Sequence, residues 1–286
     1  MDGNLRRSLL AVPASSAKMI EKSKGLACDQ ILFDLEDAVA PDEKASAREN
    51  LIKLFAAKPT FRARYISIRV NATNTPYFKD DLAALNKIAA GSLFSVVLPK
   101  VENTSDLDLL AGSYLIDAQI ESAAGLSSVD KIAAHPRCIS LSYGPLDFAA
   151  DLGATLNALT EVDLKEFTLY PLMKILVAAR ANRKLAFDGP EVDIRSSEKF
   201  TTGARRVRAL GFDGKWVLHP DQIELCNEIF TPSESEYQRA SELIARYESA
   251  QSQGLGAVTD GDRMIDEASR RLAAKIVARH EAFKAR

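Results

Sequence analysis

Apolar residues along the chain gather in short runs separated by longer stretches of helical periodicity. The runs fall at residues 8–13, 30–35, 64–70, 95–100, 115–121, 139–144, 185–189 and 215–219. They are rich in Val, Ile, Leu and Phe. Most lack the apolar–polar alternation of a strand with one wet face, as parallel strands covered on both sides do. The intervening stretches, such as 41–57 and 162–183, read as helices. Pro41-Asp42-Glu43 places a proline and two acids at a helix start, where free N–H groups favour them. Repeated strand–helix units predict a parallel sheet. Eight units fit a closed (β/α)₈ TIM barrel, an α/β fold, with an open doubly wound sheet as the alternative.

The barrel units run out near residue 230, which predicts a barrel over 1–230 and a C-terminal helical extension over 231–286. In the extension, residues 233–247 read as helix and 251–256 as a flexible connection. Ile265, Ala268, Leu272, Ile276 and Phe283 then follow at near-helical spacing on one stripe. That last helix either caps its own barrel or forms an arm that packs on a neighbouring subunit.

Composition narrows the function. A net charge of −2 gives no electrostatic footprint for nucleic acid or an anionic membrane. No apolar run approaches the ~20 residues that a bilayer requires. Cys28, Cys138 and Cys226 are scattered without a CxxC pair, which argues against a disulfide framework or a structural zinc. The start of the chain lacks the apolar region of a secretory signal, so a cytoplasmic protein is expected.

Barrel chemistry sits at the C-terminal ends of the strands. Seven of the eight runs end on an ionisable group: Asp34 with Glu36 and Asp37, Arg69, Lys100, Glu121, Asp147, Asp188 and His219. Such charges beside a buried mouth are costly unless paired or metal-bound. A ring of acids with Arg69 and Lys100 suits a site for an anion and a hard cation. Carboxylate oxygens with little His point to Mg²⁺, or Mn²⁺, rather than zinc. Glu121 and Asp147, from adjacent strands, suit the metal. Arg69 suits bidentate capture of a substrate carboxylate, with Asn71 and Lys100 as further substrate contacts. Pairing with Glu36, Asp37 or Glu121 is the preferred alternative for Lys100, ahead of a Schiff-base role, and a structural pairing with Glu36 is the alternative for Arg69. His219 reads as a strand-end histidine, His135 and His280 as surface residues, and Cys138 as core. Arg205-Arg206-Val207-Arg208 reads as a solvated helix face, with contact to coenzyme A phosphates as a lesser alternative. A dinucleotide-binding oxidoreductase would need a G-x-G-x-x-G turn, which the sequence lacks.

These motifs, in order, resemble the citrate lyase β-subunit-like branch of the HpcH/HpaI aldolase superfamily. The resemblance rests on Arg7-Ser-Leu-Leu-Ala-Val-Pro, Leu32-Phe-Asp-Leu-Glu-Asp-Ala-Val39, Ile68-Arg-Val-Asn71, Leu98-Pro-Lys-Val-Glu102, Ile120-Glu-Ser-Ala-Ala-Gly-Leu126, Tyr143-Gly-Pro-Leu-Asp-Phe148 and Gly211-Phe-Asp-Gly-Lys215 with His219-Pro220. It implies Mg²⁺ on Glu121 and Asp147, substrate binding by Arg69, and supporting acids at Glu36 and Asp37. It also implies a C-terminal motif, Gly261-Asp-Arg-Met-Ile-Asp266, whose Asp266 serves the adjacent subunit of a trimer or a multiple of it. The activity implied is cleavage or formation of a 3-hydroxyacyl-CoA such as a malyl, citramalyl or citryl thioester, with Asp266 as general base and Glu36 in reserve. A pyruvate-type class II aldolase acting on free oxo acids without coenzyme A is the alternative. A non-catalytic subunit keeping only the fold is a third reading, disfavoured by the joint presence of Arg69, Glu121, Asp147 and Asp266. Ala11, Ala14, Pro190 and Glu191 depart from the family pattern and bear on which acyl group is accepted.

Overall fold

A computed structural model describes residues 5–285 apart from 90, 111, 113, 255–256 and 261–262, so Gly261 and Asp262 of the C-terminal motif lie outside the described residues. Eight parallel strands close into a barrel in chain order: β1 (Ser8–Pro13), β2 (Gln30–Asp34), β3 (Tyr65–Arg69), β4 (Ser95–Leu98), β5 (Ile116–Ile120), β6 (Cys138–Tyr143), β7 (Leu185–Asp188) and β8 (Gly214–Val217). β8 returns to β1 with Lys215 opposite Ser8, which removes the free edge that the open-sheet alternative would leave. The apolar runs and the strands coincide to within two residues at each end.

Helices α1 (Ala17–Ser23), α2 (Lys44–Ala56), α3 (Phe78–Leu85), α4 (Thr104–Asp108), α5 (Ala123–Ala134), α6 (Pro145–Asp151), α7 (Glu161–Ala181), α8 (Ser197–Leu210) and α9 (Asp221–Phe230) follow the strands. Pro41–Glu43 forms a separate 3₁₀ turn ahead of α2, because an exposed acid–proline start lacks a side-chain cap. The strand bodies are inaccessible, with Ile31, Leu32 and Phe33 at 0% exposure, as double-sided coverage requires.

The N-terminal end of the barrel interior is polar, which the apolar runs did not foretell. Arg6, just before β1, inserts its guanidinium there and donates from Nη1 and Nη2 to the two oxygens of Asp117, both at 3.0 Å, and from Nη1 to Gln30 Oε1 at 2.7 Å. Ser95 Oγ donates to Asp117 at 2.5 Å, and Ser140 does the same. Phe94 and Phe187 lie against the guanidinium, with ring centroids 5.2 and 4.7 Å away. Burial resists ionisation of Asp117, but Arg6 and the two hydroxyls outweigh it and hold the carboxyl below its ordinary range.

Two compact units divide the chain, one spanning Arg6–Asn227 and the other running from Glu228 onward together with Leu5. The second unit holds α10 (Glu234–Ser252), a short antiparallel pair β9 (Val258–Asp260) and β10 (Arg263–Ile265), and α11 (Glu267–Lys284). Ile265 belongs to β10, so the expected stripe is not one helix face. The buried positions of α11 are Ala273, His280 and Phe283, while Leu272 is 65% exposed. His280 corrects the surface expectation: it stacks on Tyr237, with centroids 4.6 Å apart, and its Nδ1 faces the Pro232 carbonyl at 2.8 Å. His135 is likewise half-buried, with Nε2 3.1 Å from Asp108 Oδ1. The three cysteines are free and buried, and burial pushes each thiol up to about 12. Among the described residues, no helix is long and apolar enough to cross a membrane.

Candidate active site

Parallel strands deliver their last residues to one face, and most of the sequence-selected polar groups arrive there. Arg69 is the final residue of β3, Glu121 follows β5 directly, and Lys100 lies two residues beyond β4. Pro145 begins α6 and so places Asp147 in its first turn, where the open N–H groups favour an acid. Lys100, Glu121 and Asp147 line one cavity of about 360 Å³ with Thr73, Asn74 and Ser122. Glu102, Asp106 and Asp151 complete its acidic wall.

Glu121 is 3% exposed. Its Oε1 accepts from Gln119 Nε2 and its Oε2 from the Lys100 backbone N–H, both at 3.0 Å. Burial is the main reason its carboxyl is pushed up to about 7. Glu36 and Asp147 add to that push, while Arg69 and Lys100 oppose it. The surroundings of Glu121 thus disfavour its charged form, with burial as the main cause. The Lys100 ammonium bridges Glu36, Asp37 Oδ1 at 3.5 Å and Asp147 Oδ1 at 3.4 Å. Burial disfavours its charge, but the Glu36 contact and the other acids hold it well above the ordinary lysine value. A lysine so firmly charged is a poor amine nucleophile, which argues against an imine.

Asp34, which the sequence placed among the strand-end acids without a role of its own, holds Arg69. Its Oδ1 accepts from Arg69 Nε at 2.7 Å and from Glu36 N at 2.9 Å. Its Oδ2 accepts from Arg69 Nη2 at 2.6 Å and from Ala38 N at 3.1 Å. Burial opposes its charge, but Arg69 and these N–H groups keep its carboxyl below the usual range. The Nε–Nη2 edge of Arg69 is therefore taken by Asp34 within the fold. Nη1 remains, 3.0 Å from Glu36 Oε2. A signal existed, since Asp34 and Arg69 are register partners on β2 and β3.

Asn71 is also engaged within the fold. Both of its amide hydrogens are used within the fold, toward Leu35 O at 2.9 Å and Asp81 Oδ2 at 2.7 Å. It pins the β2 and β3 loops and has no N–H left for a substrate. Asp266 lies in the C-terminal unit, where it is the N-cap of α11: its Oδ1 accepts the N–H and hydroxyl of Ser269, each at 2.9 Å. The backbone and side-chain hydrogen bonds from Ser269 hold its carboxyl below the ordinary range. Asp188 pairs with Lys215, which also donates to Gly189 O at 2.6 Å, so this strand-end acid is spent on the fold.

Among the described residues, no cluster of three or more His, Cys, Asp or Glu side chains is placed to hold a metal. Mg²⁺ does not need one, because it takes one or two carboxylates and completes its shell with water and substrate oxygens. Glu121 and Asp147 both line the cavity and have carboxylate oxygens of the kind such an ion takes.

A family profile described as HpcH/HpaI aldolase/citrate lyase matches residues 7–220. An L-malyl-CoA/beta-methylmalyl-CoA lyase of Cereibacter sphaeroides is 34% identical over 98% of the chain and 96% of the relative. A (3S)-malyl-CoA thioesterase of the same species is 35% identical at the same two coverages. Among solved structures, the protein CitE from Mycobacterium tuberculosis in complex with magnesium, acetoacetate and coenzyme A is similar with a TM-score of 0.83. It is 27% identical, over 98% of this chain and 100% of that one.

Proposed function

The chain belongs to the HpcH/HpaI aldolase/citrate lyase family, and from that premise we propose that it is a Mg²⁺-dependent carbon–carbon lyase of 3-hydroxyacyl-CoA thioesters, of the malyl-CoA kind. The observation that carries the reading is the shared cavity of Glu121, Asp147 and Lys100 at the C-terminal strand ends. Within it, Glu121 is buried, and burial and the neighbouring acids disfavour its charged form.

Glu121 and Asp147 would hold Mg²⁺, with Mn²⁺ as a substitute. When bound, the ion supplies Lewis-acid stabilisation of charge on the oxygens of the hydroxy-acid part. Arg69, kept in place by Asp34, presents Nη1 to the same region and stabilises developing negative charge. In cleavage a base removes the 3-hydroxyl proton, the carbon–carbon bond breaks, and its electron pair passes to the thioester carbonyl before the acetyl or propionyl group is protonated. Glu36 and Lys100 fix the charge pattern around that step. Asp266 from a neighbouring subunit is the base that best fits the family resemblance. Its Ser269 contacts lower its basicity, so release of that cap would accompany its use. The barrel at 1–230 would carry the metal site and 231–286 would be the arm of a trimer. The exposed Leu272 and Met264 of that arm, at 65% and 66%, support packing against another subunit. Free buried thiols support a cytoplasmic location.

Hydrolysis of the thioester is the second reading, favoured by the likeness to the malyl-CoA thioesterase. An aldolase working without coenzyme A has less support, because the named relatives act on coenzyme A thioesters. The test is a screen of malyl-, methylmalyl-, citramalyl- and citryl-CoA with Mg²⁺. Release of acetyl- or propionyl-CoA with an oxo acid supports the lyase. Release of free coenzyme A thiol with the hydroxy acid replaces it by the hydrolase, and no turnover of any thioester overturns both.

A further inference from the structure

α6 is tied to the β5–α5 segment at both of its ends. Just before the helix starts, Gly144 N donates to Ile120 O at 3.1 Å. At its last residue, Asp151 Oδ2 accepts the Ala123 N–H at 2.7 Å. Ala123 is the first residue of α5, and a first-turn N–H has no partner within its own helix. The N-cap Ser122 accepts from Gly125 N at 3.1 Å, so it does not serve Ala123.

The two proposed metal carboxylates lie between these ties. Glu121 directly follows Ile120 and stands two residues before Ala123. Asp147 stands four residues before Asp151, so these two acids share one face of α6. That face looks onto the cavity that Glu121 lines from the other side.

Within its own helix Asp151 is poorly placed. α6 closes on Gly153 in the left-handed region at φ 67°, with Gly153 N donating to Ala150 O at 3.0 Å and Ala154 N to Ala149 O at 2.9 Å. An acid in that last turn meets the negative pole, where a cation is favoured. The same carboxylate suits the positive pole of α5. A residue that breaks the rule of its own element and obeys that of a neighbour serves the relation between the two.

We infer that Asp151 is a positioning residue that sets the separation of Glu121 and Asp147 through the Ala123 N–H. Without it, α6 keeps only the Gly144 tie, and Asp147 can swing away from Glu121. Groups that orient metal carboxylates are typically worth about 10–100-fold in metal affinity. The inference rests on the metal reading above.

Binding of Mn²⁺ to the full chain without substrate, followed by the electron paramagnetic resonance of the free ion, tests it. Asp151→Ala removes the acceptor. Ala123→Pro removes the donor at a first helical position, where proline is tolerated. Each should raise the Mn²⁺ dissociation constant about tenfold or more. The double variant should be no weaker than either single one, because both remove the same bond. Asp151→Asn keeps an oxygen for Ala123 without the charge and should bind as the wild type does. Both positions are exposed. Circular dichroism checks the fold, and either single variant carries the test if the other does not fold. Wild-type affinity in the single variants, or additive losses in the double, overturns the inference. So does an Asp151→Asn as weak as Asp151→Ala, which would assign the effect to charge. A wild-type chain that binds no Mn²⁺ overturns the metal reading itself, and this inference with it.

Discussion

Gly144 stands against Glu121 so closely that a Cβ on the glycine would lie 2.2 Å from Glu121 Oε1 and 2.4 Å from its Cγ. No side chain fits there unless the carboxylate moves. Gly144→Ala is therefore expected to retain the barrel but displace Glu121, and a displacement of about 1 Å can cost roughly 10²-fold in turnover. Steady-state kinetics at saturating Mg²⁺, with circular dichroism for the fold, reads the effect. Wild-type turnover would mean that Glu121 works from another position.

Glu121→Ala removes the buried metal carboxylate and is expected to abolish metal-dependent activity. Stripping the wild type with excess chelator should do the same, and Mg²⁺ should restore the wild type alone. Turnover that survives the chelator contradicts the metal reading.

Arg69→Lys keeps the charge but loses the fork that spans both Asp34 oxygens while pointing Nη1 at Glu36. Catalysis should fall by roughly 10²–10³, as when an oriented donor is lost from a site of developing negative charge. A variant whose KM rises while kcat holds would assign Arg69 to ground-state binding instead.

Asp266→Asn should lower turnover steeply and leave substrate affinity near that of the wild type. If the residue serves a neighbour, mixing inactive Asp266→Asn chains with inactive Glu121→Ala chains, unfolded and refolded together, regenerates intact sites. Recovery of activity in the mixture supports the shared site; none at all would place Asp266 outside it.

Asp117 gives a prediction on stability. Removing one partner of a buried ion pair costs about 3–5 kcal/mol, because the other charge is left uncompensated. Asp117→Ala should lose about that much at neutral pH in denaturant unfolding. The folded-state carboxyl is held below its unfolded value. Its contribution is therefore complete above the unfolded carboxylate pKa of about 3.9 and is lost as pH falls through the folded value. The gap between wild type and Asp117→Ala should narrow only in acid. A gap independent of pH down to the acid transition would show that Arg6 is held by packing rather than by charge.

Much of the fold and part of the site could be read from the residues alone. Eight apolar runs free of alternation required strands covered on both faces, and parallel strands put polar C-terminal residues on one face. That logic reached Arg69, Lys100, Glu121 and Asp147 without coordinates. It could not separate Asn71, whose amide is consumed by Leu35 and Asp81, from a group free to bind. It also gave Asp34 no role of its own, because an acid ending an apolar run looks the same whether it meets a ligand or a neighbouring arginine.

Periodicity and residue type, which are local properties, determined the eight strand–helix units and the parallel sheet; closure of that sheet into a barrel came from the pairing of β8 with β1. Pairing across strands is not local. Only the tertiary structure decided that Arg69 spends its Nε–Nη2 edge on Asp34, that Lys100 reaches Asp147 as well as the expected Glu36 and Asp37, and that Arg6 fills the far end of the barrel against Asp117. Each of these depends on side chains more than 30 residues apart in sequence meeting in a low-dielectric interior, where an unpaired charge is too costly to leave alone.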